Sequence, residues 1–311
     1  METRDLQTFL AVADTGSITL AAQALGRSQP SVSRDIQMLE SELGFALLHR
    51  HARRVDLTAE GTAFEEEARR LLAAFSRLAE NARSLAAGHA RPLRLVATAA
   101  VAGGLLPAAL AQVDLISEIH LAQTRPTGVT HDLRTGMADL GFASLPIDHQ
   151  GLEILRLYSA PAAMALRPDD VLAAQDTVQL SDLENRRVVT MLNPRRFQRQ
   201  TELAFARAGV RHAPALRTNL SVVALRLTAE TGAPAIVDPL TAYGMPATDL
   251  VIRPLTDAPR FVWGVLATPG RIPTPHETPL LDALNRVAQA RIPGLLRHDT
   301  ADIDMLCAPD P

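Results

Sequence analysis

Seven apolar residues, Phe64, Ala68, Leu71, Phe75, Leu78, Ala82 and Leu85, recur along the chain at steps of 4, 3, 4, 3, 4, 3. A mean step of 3.5 is the period of a coiled-coil seam rather than of a helix laid on a wide core. About 30 residues from Thr58 at ~1.5 Å each make a rod of roughly 45 Å. Such a rod cannot cover its own stripe. Either a second chain or the chain's own body must bury it, and we read Phe64 to Leu85 as a dimerisation surface. The rod also divides the 311 residues. A short segment precedes it, and a long one follows the hinge-like "AGHARP".

The short segment has helical apolar spacing throughout. Leu6, Phe9, Leu10 and Ala13 share one face. Ser17 is placed to cap a second helix with Ile18, Ala21, Ala22 and Leu25 inward, ended by Gly26. A third helix sets Val32, Ile36, Leu39 and Leu43 inward and stops at Gly44. This is a helix-turn-helix pattern. "FALLHRHARRVDLT" then fits a β-hairpin with a basic tip, or an exposed loop carrying charge.

With Val32, Ile36, Leu39 and Leu43 inward, Pro30, Arg34 and Gln37 point outward, flanked by Ser31 and Ser33. Pro30 is tolerated in a first turn. The free N–H groups of that turn suit a phosphate, Arg34 suits guanine, and Gln29 or Gln37 suits adenine. The competing reading is a merely solvated face. Charge gives that reading some support, since residues 1–90 hold 10 arginines against 12 carboxylates. The patch is local: residues 27–54 hold five arginines against three acids.

Around these residues, "FLAVADTGSITLAAQALGRSQPSVSRDIQMLESELGFALLHRHARRVDLTAEG" resembles the N-terminal domain of the LysR-type transcriptional regulators. It carries their Gly16–Ser17, Ala21–Ala22, Ser28–Gln29–Pro30, Ser33, Leu39–Glu40, Leu43–Gly44, Arg50 and Leu57–Thr58. The resemblance implies a winged helix-turn-helix and a dimerising linker helix. It also implies a two-lobed, periplasmic-binding-protein-like effector domain and a dimer or tetramer at promoter DNA, with RNA polymerase as a further partner. Carried across by position, Gln29, Pro30, Ser31, Ser33 and Arg34 are recognition-helix contacts and Arg50 and Arg53 wing contacts; Ser28 and Gln37 on the outward face and Arg54 at the basic tip are added to them as DNA-binding candidates. Where the family often has a glycine, the wing tip has Ala52.

Beyond the hinge, short β-rich runs alternate with helical ones, as in "LRLVA", "EIHLA", "ADLGFA", "AAMALR", "RVVTML", "APAIVD" and "FVWGVLA". Alternation of this kind predicts an α/β, Rossmann-like domain with largely parallel sheets. The expected division is residues 1–58 for the DNA-binding domain, 59–90 for the linker and hinge, 91–300 for the effector domain and 301–311 for a tail. Lobe I takes about 91–162 plus 268–300, and lobe II about 163–267.

In such folds a ligand sits beyond the C-terminal strand ends, between the lobes. Thr98, Ala99, Thr127, Asn193, Ser221 and Asp238 fall there. Hydroxyls and helix-start amides suit a carboxylate and Asp238 an ammonium, so a zwitterion is expected. "VAGGLLPAALAQ", "ADLGFA" and "AIVDP" resemble LysR-type regulators answering opines and amino-acid derivatives. Helix capping is the competing use of each of these polar residues.

Other classes are disfavoured. All 31 basic residues are arginine, which excludes Schiff-base and Walker-loop lysines. Neither G-x-S-x-G nor G-x-G-x-x-G occurs, and the nine histidines lack ligand-like clustering. No enzyme activity, metal or cofactor is expected. The lone Cys307 and the charged start fit a cytoplasmic protein. The uncharged run Leu95–Val113 reads as a strand, a glycine turn and a helix rather than a membrane span. A solute-binding or transport protein with an incidental helical start is the rival, and it would require export.

Overall fold

The computed structural model describes residues 1–50, 55–86, 91–114, 118–192, 196–211, 213–245 and 248–308. It forms two compact units, one of residues 1–89 with 134–137, the other of the remainder.

In the first unit α1 (Thr3–Thr15), α2 (Ile18–Ala24) and α3 (Gln29–Leu43) pack around Phe9, Val12, Ala21, Val32, Ile36 and Leu39. Local caps set their ends. Gly16 closes α1 at φ 60°, Ser17 accepts the Leu20 N–H, and Gly44 closes α3 at φ 80°. The hairpin of β1 (Leu48–Arg50) and β2 (Val55–Leu57) follows, antiparallel, with Leu48 opposite Leu57. It is tied down at both ends. Glu40 accepts the N–H groups of Leu47 (2.8 Å) and Leu48 (3.2 Å), and the Val55 N–H donates to Gly16. Thr58 then opens α4 (Ala59–Ala86), accepting the Gly61 N–H while donating to the Ala46 carbonyl. A β-carbon on Gly61 would lie 2.1 Å from the Leu47 carbonyl oxygen, so only glycine lets α4 start there.

The α4 seam does not serve one partner throughout. Phe64 meets Phe9 edge to face at 5.4 Å, and Ala68 is 2% exposed inside the head's own core. Leu71, Phe75 and Leu78 are 54, 57 and 66% exposed, and Ala82 is exposed too. Ala68 is therefore corrected from a dimer contact to intramolecular packing, and half-buried Phe64 packs partly on the head. The same 3.5-residue stripe first covers the head and then runs clear of it.

The second unit holds β3 (Leu93–Ala97), α5 (Ala99–Gly104), α6 (Leu106–Leu110), β4 (Ile119–Gln123), α7 (Pro126–Arg134), β5 (Leu140–Ser144) and β6 (Glu153–Pro161). The chain continues through β7 (Ala163–Leu166), β8 (Arg187–Met191), α8 (Arg196–Ala208), β9 (Ala213–Thr218), α9 (Ser221–Thr231), β10 (Ala235–Val237), α10 (Pro239–Gly244) and β11 (Val251–Pro254). It ends with β12 (Arg260–Ala267), α11 (Glu277–Arg291), β13 (Leu296–His298) and α12 (Ile303–Cys307). Two sheets result, β13-β6-β12-β5-β3-β4 and β11-β7-β10-β8-β9.

Three expectations are corrected here. The sheets are mixed rather than largely parallel: β3 pairs parallel with β4 and β5, whereas β12 runs antiparallel to both β5 and β6. Lobe I regains the chain at β12, near residue 260 rather than 268, because Trp263 and Val265 complete its core beside Phe142 and Tyr158. The tail is not separate, since Ile303 is buried with Leu145, Leu157 and Val262. The run Leu95–Val113 folds as β3 and two short helices, its glycines closing α5 rather than forming a turn. Among the described residues no helix is long and apolar enough to cross a membrane.

The lobes meet where backbones touch. A β-carbon on Gly104 would lie 2.3 Å from the Leu240 carbonyl oxygen, and one on Gly244 would lie 2.1 Å from that of Gly104. At the crossing strands the Ala162 N–H donates to Pro259 at 2.9 Å.

Candidate nucleic-acid interface and effector site

The first turn of α3 has the features an anion requires. Ser28 stands at the N-cap with its side chain making no capping bond, and Pro30 follows in the first turn. Fifteen residues of aligned peptide dipoles lie behind it. Ser28, Gln29, Pro30, Arg34 and Gln37 are exposed, and Ser31 and Ser33 are half-buried on the flanks. Arg50 ends β1, and its side chain lies outside the described residues, as do Arg53 and Arg54 altogether.

Nine of the twelve acids in residues 1–90 have partners within the head and linker helix. Glu42 pairs with the N-terminal ammonium at 2.6 Å, and Glu2 and Asp5 form a capping box on α1. Glu40 holds the wing, Asp35 pairs with Arg27, Asp14 and Glu65 bind Arg69, and Glu66 and Glu67 bind Arg70. These carboxylates are spent on internal partners while Arg34 faces solvent. Arg27, counted with the cationic patch from sequence, is itself turned inward.

The effector candidates divide. Thr98 caps the end of β3, and its buried hydroxyl lies 3.2 Å from that of Ser144, whose N–H it also accepts. Ala99 opens α5 beside it. Thr127 is exposed in the first turn of α7, and Asn193 lies outside the described residues. Asp238 is corrected. It is 3% exposed and N-caps α10, accepting the Thr241 N–H (2.9 Å) and hydroxyl (2.8 Å). Burial pushes its carboxyl above the usual range, against hydrogen bonds from Ser221 and Thr241. It holds no exposed charge for an ammonium, and Ser221 is committed to it. Ser144, beside Thr98, and Gln198 make contacts at the ends of β5 and β8 that no local pattern marks. The amide oxygen of Gln198 accepts the Met191 N–H at the end of β8. A glutamine two residues into a helix carries no local signal of that reach across a turn.

Both parts of the chain have counterparts among known proteins. Residues 3–62 match the bacterial regulatory helix-turn-helix proteins of the lysR family, and residues 86–289 match the LysR substrate binding domain. The HTH-type transcriptional regulator TcbR of Pseudomonas sp. (strain P51) is 32% identical over 76% of this chain and 82% of its own. OccR of Rhizobium meliloti, an octopine catabolism/uptake operon regulatory protein, is 29% identical over 82% of this chain and 86% of its own. The solved structure of full-length CbnR with its target DNA covers 93% of this chain and 100% of its own, at 26% identity and a TM-score of 0.70. The chain therefore belongs to the LysR family, as a DNA-binding helix-turn-helix regulator with a C-terminal effector-binding domain.

Proposed function

We propose that this regulator reads promoter DNA through Ser28, Gln29, Pro30, Ser33, Arg34 and Gln37, with Arg50, Arg53 and Arg54 on the flanking backbone or minor groove. The observation that carries this reading is the exposed, uncapped first turn of α3 beside acids that are spent internally. The working form is a dimer or tetramer in the cytoplasm, joined along Leu71, Phe75, Leu78, Ala82 and Leu85. A small carboxylate-bearing effector of amino-acid or opine-like class binds beyond the ends of β3 and β8. The hydroxyl pair of Thr98 and Ser144 and the likeness to OccR support that class. Its action is a population shift between two placements of the heads, which requires unequal affinity for the two. The reading includes no catalytic step, in keeping with relatives that are regulators.

A thermal-shift screen of amino acids and opines tests the effector class. Stabilisation by at least one of them, lost in Thr98→Val, is expected. Stabilisation by non-carboxylates alone would overturn it.

A further inference from the structure

Arg27 lies in the turn between α2 and α3, next to the N-cap Ser28. In sequence it looks like one more cation for a phosphate. In the fold it is a three-way tie. Its Nη1 sits 2.8 Å from Asp35 Oδ2 and donates to Thr8 Oγ1 at 3.1 Å, and its Nη2 donates to Ser31 Oγ at 2.7 Å. Thr8 is buried on α1 and anchored to the Arg4 carbonyl. Ser31 and Asp35 stand one turn apart on α3. The side chains of Arg27 and Asp35 are only 26 and 12% exposed, so the pair is partly shielded from water. A rigid planar fork holding partners on two helices fixes an angle as well as a distance.

That angle matters for reading. Val32 and Ile36 hold one side of α3 in the core, but apolar packing tolerates small rotations about the helix axis. Base edges do not tolerate them, since bidentate contacts need hydrogen-bond geometry at both atoms. Phosphate contacts position the protein without discriminating sequence. We propose that Arg27 is a positioning residue for sequence discrimination. It clamps the opening turns of α3 to α1, with Ser31 accepting its hydrogen bond and Asp35 as its charge partner, and makes no DNA contact of its own. The inference rests on α3 being the DNA-reading helix.

The test uses the full chain and two duplexes of equal length across a salt series. One duplex is enriched from a random-sequence pool by the unaltered protein, and the other is unrelated. Arg27→Ala should weaken the enriched duplex about tenfold, the lower range of what one misread base pair costs. Losing one partly shielded charge should weaken the unrelated duplex far less than the enriched one, and the salt slope should be unchanged. Asp35→Asn changes the local charge in the opposite sense, so it should leave the unrelated duplex as tight or tighter while still lowering the preference for the enriched one. Parallel weakening of both duplexes by Arg27→Ala, with a salt slope smaller by about one, would mean a phosphate contact and overturn the proposal. If Arg27→Ala melts below the assay temperature, the near-isosteric Asp35→Asn decides, and an unaltered preference overturns it. A chain that enriches no duplex overturns the DNA reading itself, and the proposal with it.

Discussion

Replacing Leu78 by Glu should split the assembly without harming the head. Leu71, Phe75 and Leu78 stand 54, 57 and 66% exposed along α4. Full burial of such a side chain contributes about 1.5–3 kcal/mol, so seating the exposed half of each on a partner recovers about 1–1.5 kcal/mol. Three such residues on two chains give a gross gain of about 6–9 kcal/mol. Leu78→Glu forfeits about 1–2 kcal/mol per chain, twice per dimer, which weakens the dimer roughly 30- to 700-fold. Sedimentation equilibrium of the full chain reads that change, and far-UV melting reads the head. Ala68→Glu should behave in the opposite way, because Ala68 is packed in the head's own core. It should lower the melting temperature at every protein concentration. A Leu78→Glu chain that dimerises with unaltered affinity would refute the division of the seam. So would an Ala68→Glu chain that melts normally and only dissociates.

Gly104→Ala should cost about 1–3 kcal/mol, because the new methyl can be accommodated only by moving α5 off α10; hydrogen exchange should rise at both helices, and unchanged exchange would count against the lobe contact. Thr58→Val should destabilise the head by about 1–2 kcal/mol through loss of the α4 cap and an unmet Ala46 carbonyl, read as a lower denaturant midpoint. Asp238→Asn should alter the pH dependence of stability. The folded carboxyl holds its proton more tightly than the unfolded one, so its contribution is complete below the unfolded value of 3.8 and is lost as pH rises through the folded one. The melting temperature of the unaltered chain should therefore fall relative to that of Asp238→Asn between pH 4 and pH 7, and a difference that stays flat or widens the other way would sink the assignment.

What the sequence disclosed depends on the range of the forces involved. The three helices of the head were legible because their signals are local: the period of Val32, Ile36 and Leu39, the Ser17 cap, and Gly44 at positive φ. The heptad was legible as a stripe but not as a partner, since burial in one's own head and burial in a second chain demand the same residues. Alternating runs disclosed α/β, yet the direction of β12 depends on pairing with β5 and β6, about 120 and 100 residues away, which no local pattern encodes. The short β9, β11 and β13 and the longer β6 went unread. Asp238 was misread because a helix-start acid has the same local chemistry whether it caps a backbone or meets a ligand. Arg27 counts with the cationic patch in the sequence, and its inward turn is hidden there because its partners, Thr8 and Asp35, belong to different helices. Glu40 shows the reverse: its motif position is plain, and the fold supplies the reason, the Leu47–Leu48 amides.

DNA reading is assigned to the exposed face of α3. Its most direct test is a salt titration of the full chain on a duplex spanning the region upstream of its own gene, with and without Arg34→Ala. Binding should weaken with salt, its logarithm falling linearly with log salt. Arg34→Ala should weaken this duplex by about 1–3 kcal/mol more than unrelated DNA, the cost of one lost bidentate base contact. Salt-insensitive binding, or an Arg34→Ala chain that binds both duplexes as the unaltered protein does, would contradict it.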